Sequence, residues 1–466
     1  MLKAFVQELG GIIAEFFKKE EAWILLFFLV FGGAALVTVP SISDAAIVRE
    51  VLKFLLMTWW FWAFFLLSSL FMDLWLFWRR EVFKMSRKFV VLEFSFPREV
   101  KKDPQAMEQV LLSLFSLSAP PASLKAKYWD GEVAIPISFE VASVRGEVRF
   151  FTRVQEKHKD IVEAAFFSHY PDVEIQAIDD YCAAIPTSYK EMQKEEKDMW
   201  GVELKLKKEG AYPIKTYPHF QDLTDEIKLD PISSLLEVLG KVKDEEFVAV
   251  QILLRAKDSK WGDEWASVLK KLKEPPAAEK KEGEEKAPTP RKTHGEAEVL
   301  EAVEENLSKP AFDTVIRLLY VAPRTIFSDG YVRGGLLGFF NQYGAINLNG
   351  FVQNFAAGTM VSPWHFPYVF SARRTLYRKE RLLYNYHERE MGPEGGVGKL
   401  VSSSVFNSNF VSSVFVLNVE GVATIFHPPS ATVLKTPHMR RVESKRGGPP
   451  AGIAIFGKEE EIEKFY

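Results

Sequence analysis

Residues 137–155 read ISFEVASVRGEVRFFTRVQ, two runs of strand-forming residues, Ile137–Val144 and Glu147–Gln155, on either side of Arg145-Gly146. A two-residue connection ending in glycine permits the positive backbone angles of a tight hairpin. Outward on the N-terminal side, Pro104–Leu117 (PQAMEQVLLSLFSL) has Asp103 at a cap position and proline in its first turn, which predicts a helix. Ahead of it, Phe89–Phe96 (FVVLEFSF) alternates as a strand, with Val90, Leu92, Phe94 and Phe96 on one face. On the C-terminal side, Lys157–Ser168 reads as a helix stopped by Tyr170-Pro171, and Val173–Ile178 (VEIQAI) as a closing strand.

The resulting order, β-α-β-β-α-β, is the split β-α-β pattern of ferredoxin-like units, expected here over residues 85–182. Similar logic recurs downstream. Val202–Lys208, Phe247–Ala256 (FVAVQILLRA) and Phe312–Ala322 (FDTVIRLLYVA) read as strands, and Pro231–Val242, Trp265–Leu272, Glu296–Leu307 and Ile326–Phe340 as helices. A second α+β unit is therefore expected over 200–345. It is interrupted at 273–293 (KEPPAAEKKEGEEKAPTPRKT), a stretch with too few apolar side chains to offset its ordering entropy, so a mobile linker is predicted. Residues 346–466 are expected to be helical and irregular.

The beginning of the chain reads differently. Its 38 Phe and 11 Trp are densest before residue 80. Ala22–Val39 and Phe54–Met72 carry no charge, and as helices each would extend roughly 27–28 Å against a ~30 Å hydrocarbon core. A transmembrane helical hairpin over 21–80 is expected, behind a cytoplasmic segment 1–20. Lys18 and Lys19 precede it, and Arg79, Arg80, Lys84, Arg87 and Lys88 follow, whereas the connector offers Arg49 and Lys53. That bias places both ends inside. The full expectation is an α+β chain with two tandem ferredoxin-like units behind a two-helix anchor. It would be multi-pass in the plasma (inner) membrane, in contact with lipid, with its C-terminal domains cytoplasmic. Gly32-Gly33-Ala34-Ala35 suits either close helix packing or simple tolerance of small residues, and Asp73 reads as a boundary residue.

Few residues suggest chemistry. A net charge of -3 gives no global basic excess for wrapping nucleic acid, and the single cysteine, Cys182, excludes an intramolecular disulfide or a cysteine-based zinc site. Gly392–Leu400 (GPEGGVGKL) fails as a phosphate loop: Pro393 stands where the first glycine belongs, and Leu400 offers no hydroxyl to magnesium. His387-Glu388 is half of a zinc-protease motif, with Met391 in place of the second histidine. His169, His365, His427 and His438 are expected to be packed or exposed. The helix with Arg373, Arg374, Arg378, Lys379 and Arg381 is expected to be a solvated face with Tyr377, Leu382 and Leu383 inward. Direct nucleic-acid contact stays open, and no catalytic, cofactor or metal residue is assigned.

Three stretches together carry a family resemblance: Phe139–Tyr181, Tyr212–Val242 and Val416–Pro437. Their recurring positions are Tyr170-Pro171-Asp172, Tyr217-Pro218, Asp222, Asp230-Pro231, and Asn418 with Glu420, Ala423, Phe426 and His427. They resemble the region ahead of the motor in membrane-anchored, conjugation-type ATPases of type IV secretion systems, in the variety of candidate-phyla-radiation bacteria. The resemblance covers most of residues 89–450. In such proteins a P-loop motor follows a Pro-rich exit, here Lys445–Pro450 (KRGGPP), and no such motor is expected before Tyr466. The resemblance implies a non-catalytic component that docks a separate P-loop ATPase, other secretion-system subunits or copies of itself. The alternative is a membrane-anchored envelope scaffold that works without a motor.

Overall fold

The computed structural model describes residues 53, 57–97, 103–121, 123–220, 230–273, 293–361, 370–392, 410–429 and 441–442. They fall into two compact units. The smaller holds helix α1 (Trp59–Met85) and the π-helical turn Ala126–Asp130. Trp75 donates its indole N–H to the Tyr128 carbonyl at 3.3 Å, and Arg79 Nε donates to the Trp129 carbonyl at 2.7 Å. The turn closes at Gly131, where φ is +70° and a Cβ would lie 2.6 Å from the Arg79 backbone. Only glycine fits that approach.

The larger unit begins with β1 (Phe89–Pro97), α2 (Pro104–Leu114), β2 (Ile137–Val144), β3 (Glu147–Gln155), α3 (Lys159–His169) and β4 (Glu174–Ile178). Then come α4 (Tyr189–Lys194), β5 (Lys197–Leu206), α5 (Ser233–Gly240), β6 (Phe247–Ala256), α6 (Ala266–Lys273), α7 (His294–Ser308) and β7 (Ala311–Pro323). It ends with α8 (Asp329–Asn341), β8 (Phe351–Gly358), α9 (Ser371–Glu388), β9 (Phe415–Asn418), α10 (Val419–Ile425) and the two-residue β10 (Arg441–Val442).

The ten strands of the described residues share one sheet. The first half runs β4-β1-β3-β2 and the second β6-β7-β5-β8, and the halves meet where β2 pairs antiparallel with β6, from Ile137↔Leu254 to Ser143↔Val248. β9 adds to β7 at Ala311–Thr314, and the short β10 pairs parallel with the end of β1. The hairpin between β2 and β3 turns through Arg145 (φ 54°) and Gly146 (φ 77°), which matches the twist of the strands it joins.

Side chains alternate between two covered faces. Phe94, Phe139, Phe150, Val250, Ile316 and Leu318 face one core, packed with residues of α2, α3, α5, α8 and α10. Val91, Ala142, Phe151, Ala249 and Leu319 face the other, beneath Tyr181, Tyr189, Leu382, Leu383 and Tyr386. Burial on both faces explains the nearly continuous apolar runs of β6 and β7, because neither face meets water.

Several expectations are corrected. The halves are not separate sheets in tandem but one sheet joined edge to edge, and β8 and β9 arise within 346–466, expected to be helical and irregular. The α+β class stands on this sheet, but the expected membrane hairpin does not: among the described residues, no helix is long and apolar enough to cross a membrane. The first expected span, Ala22–Val39, and residues 54–56 of the second lie outside the described residues. In α1 the uncharged part runs only from Trp59 to Met72, roughly 21 Å of rise against ~30 Å of hydrocarbon. Beyond it come Asp73, Arg79, Arg80, Glu81 and Lys84. The multi-pass inner-membrane location and its cytoplasmic orientation are corrected with it.

Phe426, just past α10, packs its ring 5.0 Å from Phe139 and 6.0 Å from Phe150. Phe426→Ala is expected to lower stability by about 3–5 kcal/mol in urea unfolding, through lost burial and a residual cavity.

Candidate functional site

One row of side chains crosses the middle of the sheet on the face beneath α9. Glu140 of β2 stands opposite Gln251 of β6, Gln251 opposite Arg317 of β7, and Arg317 opposite Glu203 of β5. All four are 0% exposed. The row is bonded along its length. Arg317 Nε donates to Glu203 Oε1 at 2.8 Å and Arg317 NH1 to Gln251 Oε1 at 3.1 Å, while Gln251 Nε2 donates to Glu140 Oε1 at 3.1 Å.

The C-terminus of α9 sits on this row. The last carbonyls of a helix lack intrahelical partners and carry partial negative charge. Here the Tyr386 carbonyl accepts from Gln251 Nε2 at 3.1 Å, and the Asn385 carbonyl from Arg317 NH1 at 3.0 Å. Arg317 NH2 donates to the Glu390 carbonyl. Arg389 ends the helix at φ 54°, a position that glycine usually fills. That turn drives its guanidinium inward, where Nε donates to Glu140 Oε1 at 3.0 Å and NH2 to Glu140 Oε2 at 3.2 Å. The same group clasps Asp180 at 2.6 and 2.9 Å.

Tyr181 donates its hydroxyl to Glu140 and shares a hydrogen bond of 2.6 Å with the Tyr386 hydroxyl. Burial, with Glu140 beside it, pushes the Tyr181 phenol well above its ordinary pKa, so it stays a neutral donor. Burial likewise pushes up Tyr386 and the thiol of Cys182, which is thereby kept from the reactive thiolate form. Burial alone would raise the Asp180 carboxyl, yet the hydrogen bonds and charge of Arg389 hold it below the usual carboxylate range. Glu203 Oε2 and Asn385 Oδ1 have no hydrogen-bond partner among the described residues. The arrangement is an ion-paired lock. Its carboxylates and cations face one another, and it fixes strand register while clamping α9 to the sheet.

A second polar knot lies around α10, on the opposite face. Every residue from Val419 to Ile425 is buried. Asn418 caps the helix, accepting from the Gly421 N–H at 2.7 Å. His427 lies 2.9 Å from the Ala423 carbonyl through Nδ1 and 2.9 Å from Asp230 Oδ1 through Nε2. The Tyr217 N–H donates to Thr424 Oγ1 at 3.0 Å, and Lys309 pairs with Glu420. Residues that carry the family resemblance, far apart in the chain, are thus brought together: Tyr217, Asp230, Asn418, Glu420, Ala423, Phe426 and His427. Tyr170 instead packs against Phe96 and Phe166, and Asp222 lies outside the described residues.

Other sequence candidates scatter. His387 is half-buried, 3.2 Å from the Pro186 carbonyl, while Glu388 is exposed. Among the described residues, no cluster of His, Cys, Asp and Glu is placed to hold a metal. His365, His438 and all of Gly392–Leu400 after Gly392 lie outside the described residues. The basic helix departs from the solvated face expected of it. Leu382 and Leu383 do pack inward, but Arg374 and Arg378 are also buried. Arg378 NH1 donates to the Phe355 carbonyl at 2.8 Å, and burial followed by the nearby Arg374 charge lowers its pKa to about 10. Lys379 pairs with Asp198.

Sequence reasoning assigned no role to Glu140, Asp180, Glu203, Gln251, Arg317 and Arg389. One signal was available for most of them: a lone polar residue at the centre of an apolar strand, as in VAVQILL and TVIRLLY.

Compared with known families, residues 97–376 match the model described as "Domain of unknown function (DUF8128)", which is more than half of the 466-residue chain. Comparison with curated proteins gives no match.

Arg389→Met strands the fully buried Glu140 carboxylate, so it is expected to lower stability by about 3–5 kcal/mol in urea unfolding. The double variant Glu140→Met/Arg389→Met is expected to recover much of that loss, because no unpaired charge remains buried.

Proposed function

The chain belongs to the DUF8128 family, and on that premise we propose that it is a non-catalytic assembly subunit of a conjugation-like, type IV secretion-like machine, docking a motor ATPase or sibling subunits. The reading is carried by the use made of the residues behind the resemblance. Around α10, Asn418 accepts from the Gly421 N–H, His427 meets Asp230, Glu420 pairs with Lys309, and the Tyr217 N–H donates to Thr424 Oγ1. Polar groups in a substrate site converge on space for a ligand. Here they converge on each other and on the backbone around α10. The Glu140–Arg389 lock makes the same use of charge on the opposite face. A body of this kind suits a part that holds other parts in place.

The test is recovery of the tagged full chain from its native cells after mild cross-linking. A P-loop ATPase, or further copies of the chain, is expected in constant ratio by mass spectrometry. Recovery of the chain alone as a monomer overturns the docking role, and ATP hydrolysis by the purified chain overturns the non-catalytic one.

A further inference from the structure

We propose that α1 carries a dimerisation seam, on which a second copy of this chain lays the same helix in antiparallel order. The proposal deepens the docking role by naming one partner and its surface, and to that extent rests on that reading.

Spacing and exposure together mark the seam. Trp60, Phe64, Leu67, Phe71, Leu74 and Trp78 follow one another at alternating steps of four and three residues. That is the heptad rhythm that keeps apolar side chains in line against a neighbouring helix. A helix packed on its own chain turns such a line inward. Here all six side chains are between 47% and 67% exposed. The turn Ala126–Asp130 meets α1 through Trp75 and Arg79, which lie off this line.

The face is of interface size. At ~150–250 Å² per aromatic side chain, the exposed fractions of Trp60, Phe64, Phe71 and Trp78 amount to roughly 400–600 Å². The largest apolar patch on a monomer is typically about 300–600 Å², and each partner in a specific interface contributes about 800 Å². Leu67, Leu74 and the flanking Phe61 and Phe77, all exposed, bring α1 to about that second figure.

The pattern also identifies the occupant. Across a two-fold axis a patch must fit itself. This one does, because it holds no charge from Trp60 to Trp78; Asp73, the one charge of that stretch, lies off the line. The next position of the repeat is Glu81, which stays with Lys84 at 3.2 Å. Parallel helices would set one Glu81 against the other inside an apolar seam, at a cost. Antiparallel helices centred between Leu67 and Phe71 avoid that. They pair Trp60 with Trp78, Phe64 with Leu74 and Leu67 with Phe71 across the axis, and each Glu81 passes beyond the end of the seam.

In sedimentation velocity the full chain at micromolar concentration is expected to run as a dimer. Leu67→Glu/Phe71→Glu is expected to weaken association roughly a hundredfold or more, since every copy would bury two charges on the seam. Ile346→Glu, at a more exposed apolar position of the larger unit, is expected to leave the dimer intact. Mild oxidation of co-expressed Trp60→Cys and Trp78→Cys chains is expected to give a mixed disulfide that neither chain forms alone, since the native Cys182 is buried. Wild-type monomers overturn the seam, as do monomers that float with phosphatidylcholine vesicles, or a dimer indifferent to Leu67→Glu/Phe71→Glu. A disulfide formed by either chain alone overturns the antiparallel order. If the double variant does not fold, the mixed disulfide decides. Recovery of an ATPase from native cells reads the docking role separately, so a failed seam leaves that role standing.

Discussion

The larger unit is organised around a desolvated row of charge that is balanced only when its strands are in register. Glu140, Gln251, Arg317 and Glu203 lie on four adjacent strands with no exposure to water. A slip of one residue in any pair would turn a charged side chain into the opposite apolar core. Attraction between such groups does little more than offset their desolvation, so the row adds less to net stability than to specificity. What it excludes are the neighbouring registers that β6 and β7 would tolerate if Gln251 and Arg317 were apolar like the residues beside them.

The row also explains why a helix ends where α9 does. Carbonyls released at its last turn meet Arg317 and Gln251, and Arg389 turns back through a positive φ to meet Glu140 and Asp180. A glycine there would ease the backbone but remove the guanidinium. Retaining the guanidinium fixes the helix to the sheet by two paired carboxylates. The opposite face is closed by a different device: α10 is short, has every residue buried, and is held by Asn418, His427 and Lys309. Both faces are thus sealed by segments that come late in the chain, after all eight strands of the two halves are in place.

Among the described residues, the uncharged stretch of helix α1, from Trp59 to Met72, rises too little to cross a membrane, and the rest of α1 carries Asp73 and a run of charges whose neighbour Trp75 bonds to the Ala126–Asp130 turn.

Strand and helix positions in the larger unit were legible locally. The hairpin at Arg145-Gly146, the helix opening at Pro104 and the strand Phe247–Ala256 follow from turn chemistry, capping and apolar runs, which depend only on near neighbours. β8 was not, because FVQNFAAG mixes polar, small and aromatic residues and owes its strand form to pairing with β5. By itself the sequence determined where the chain bends and which stretches shun water. The tertiary structure alone decided which charges meet: Arg389 reaches Glu140 across 249 positions, and His427 reaches Asp230 across 197. Such partners are chosen by strand order and register, which are global outcomes of packing that no local spacing records.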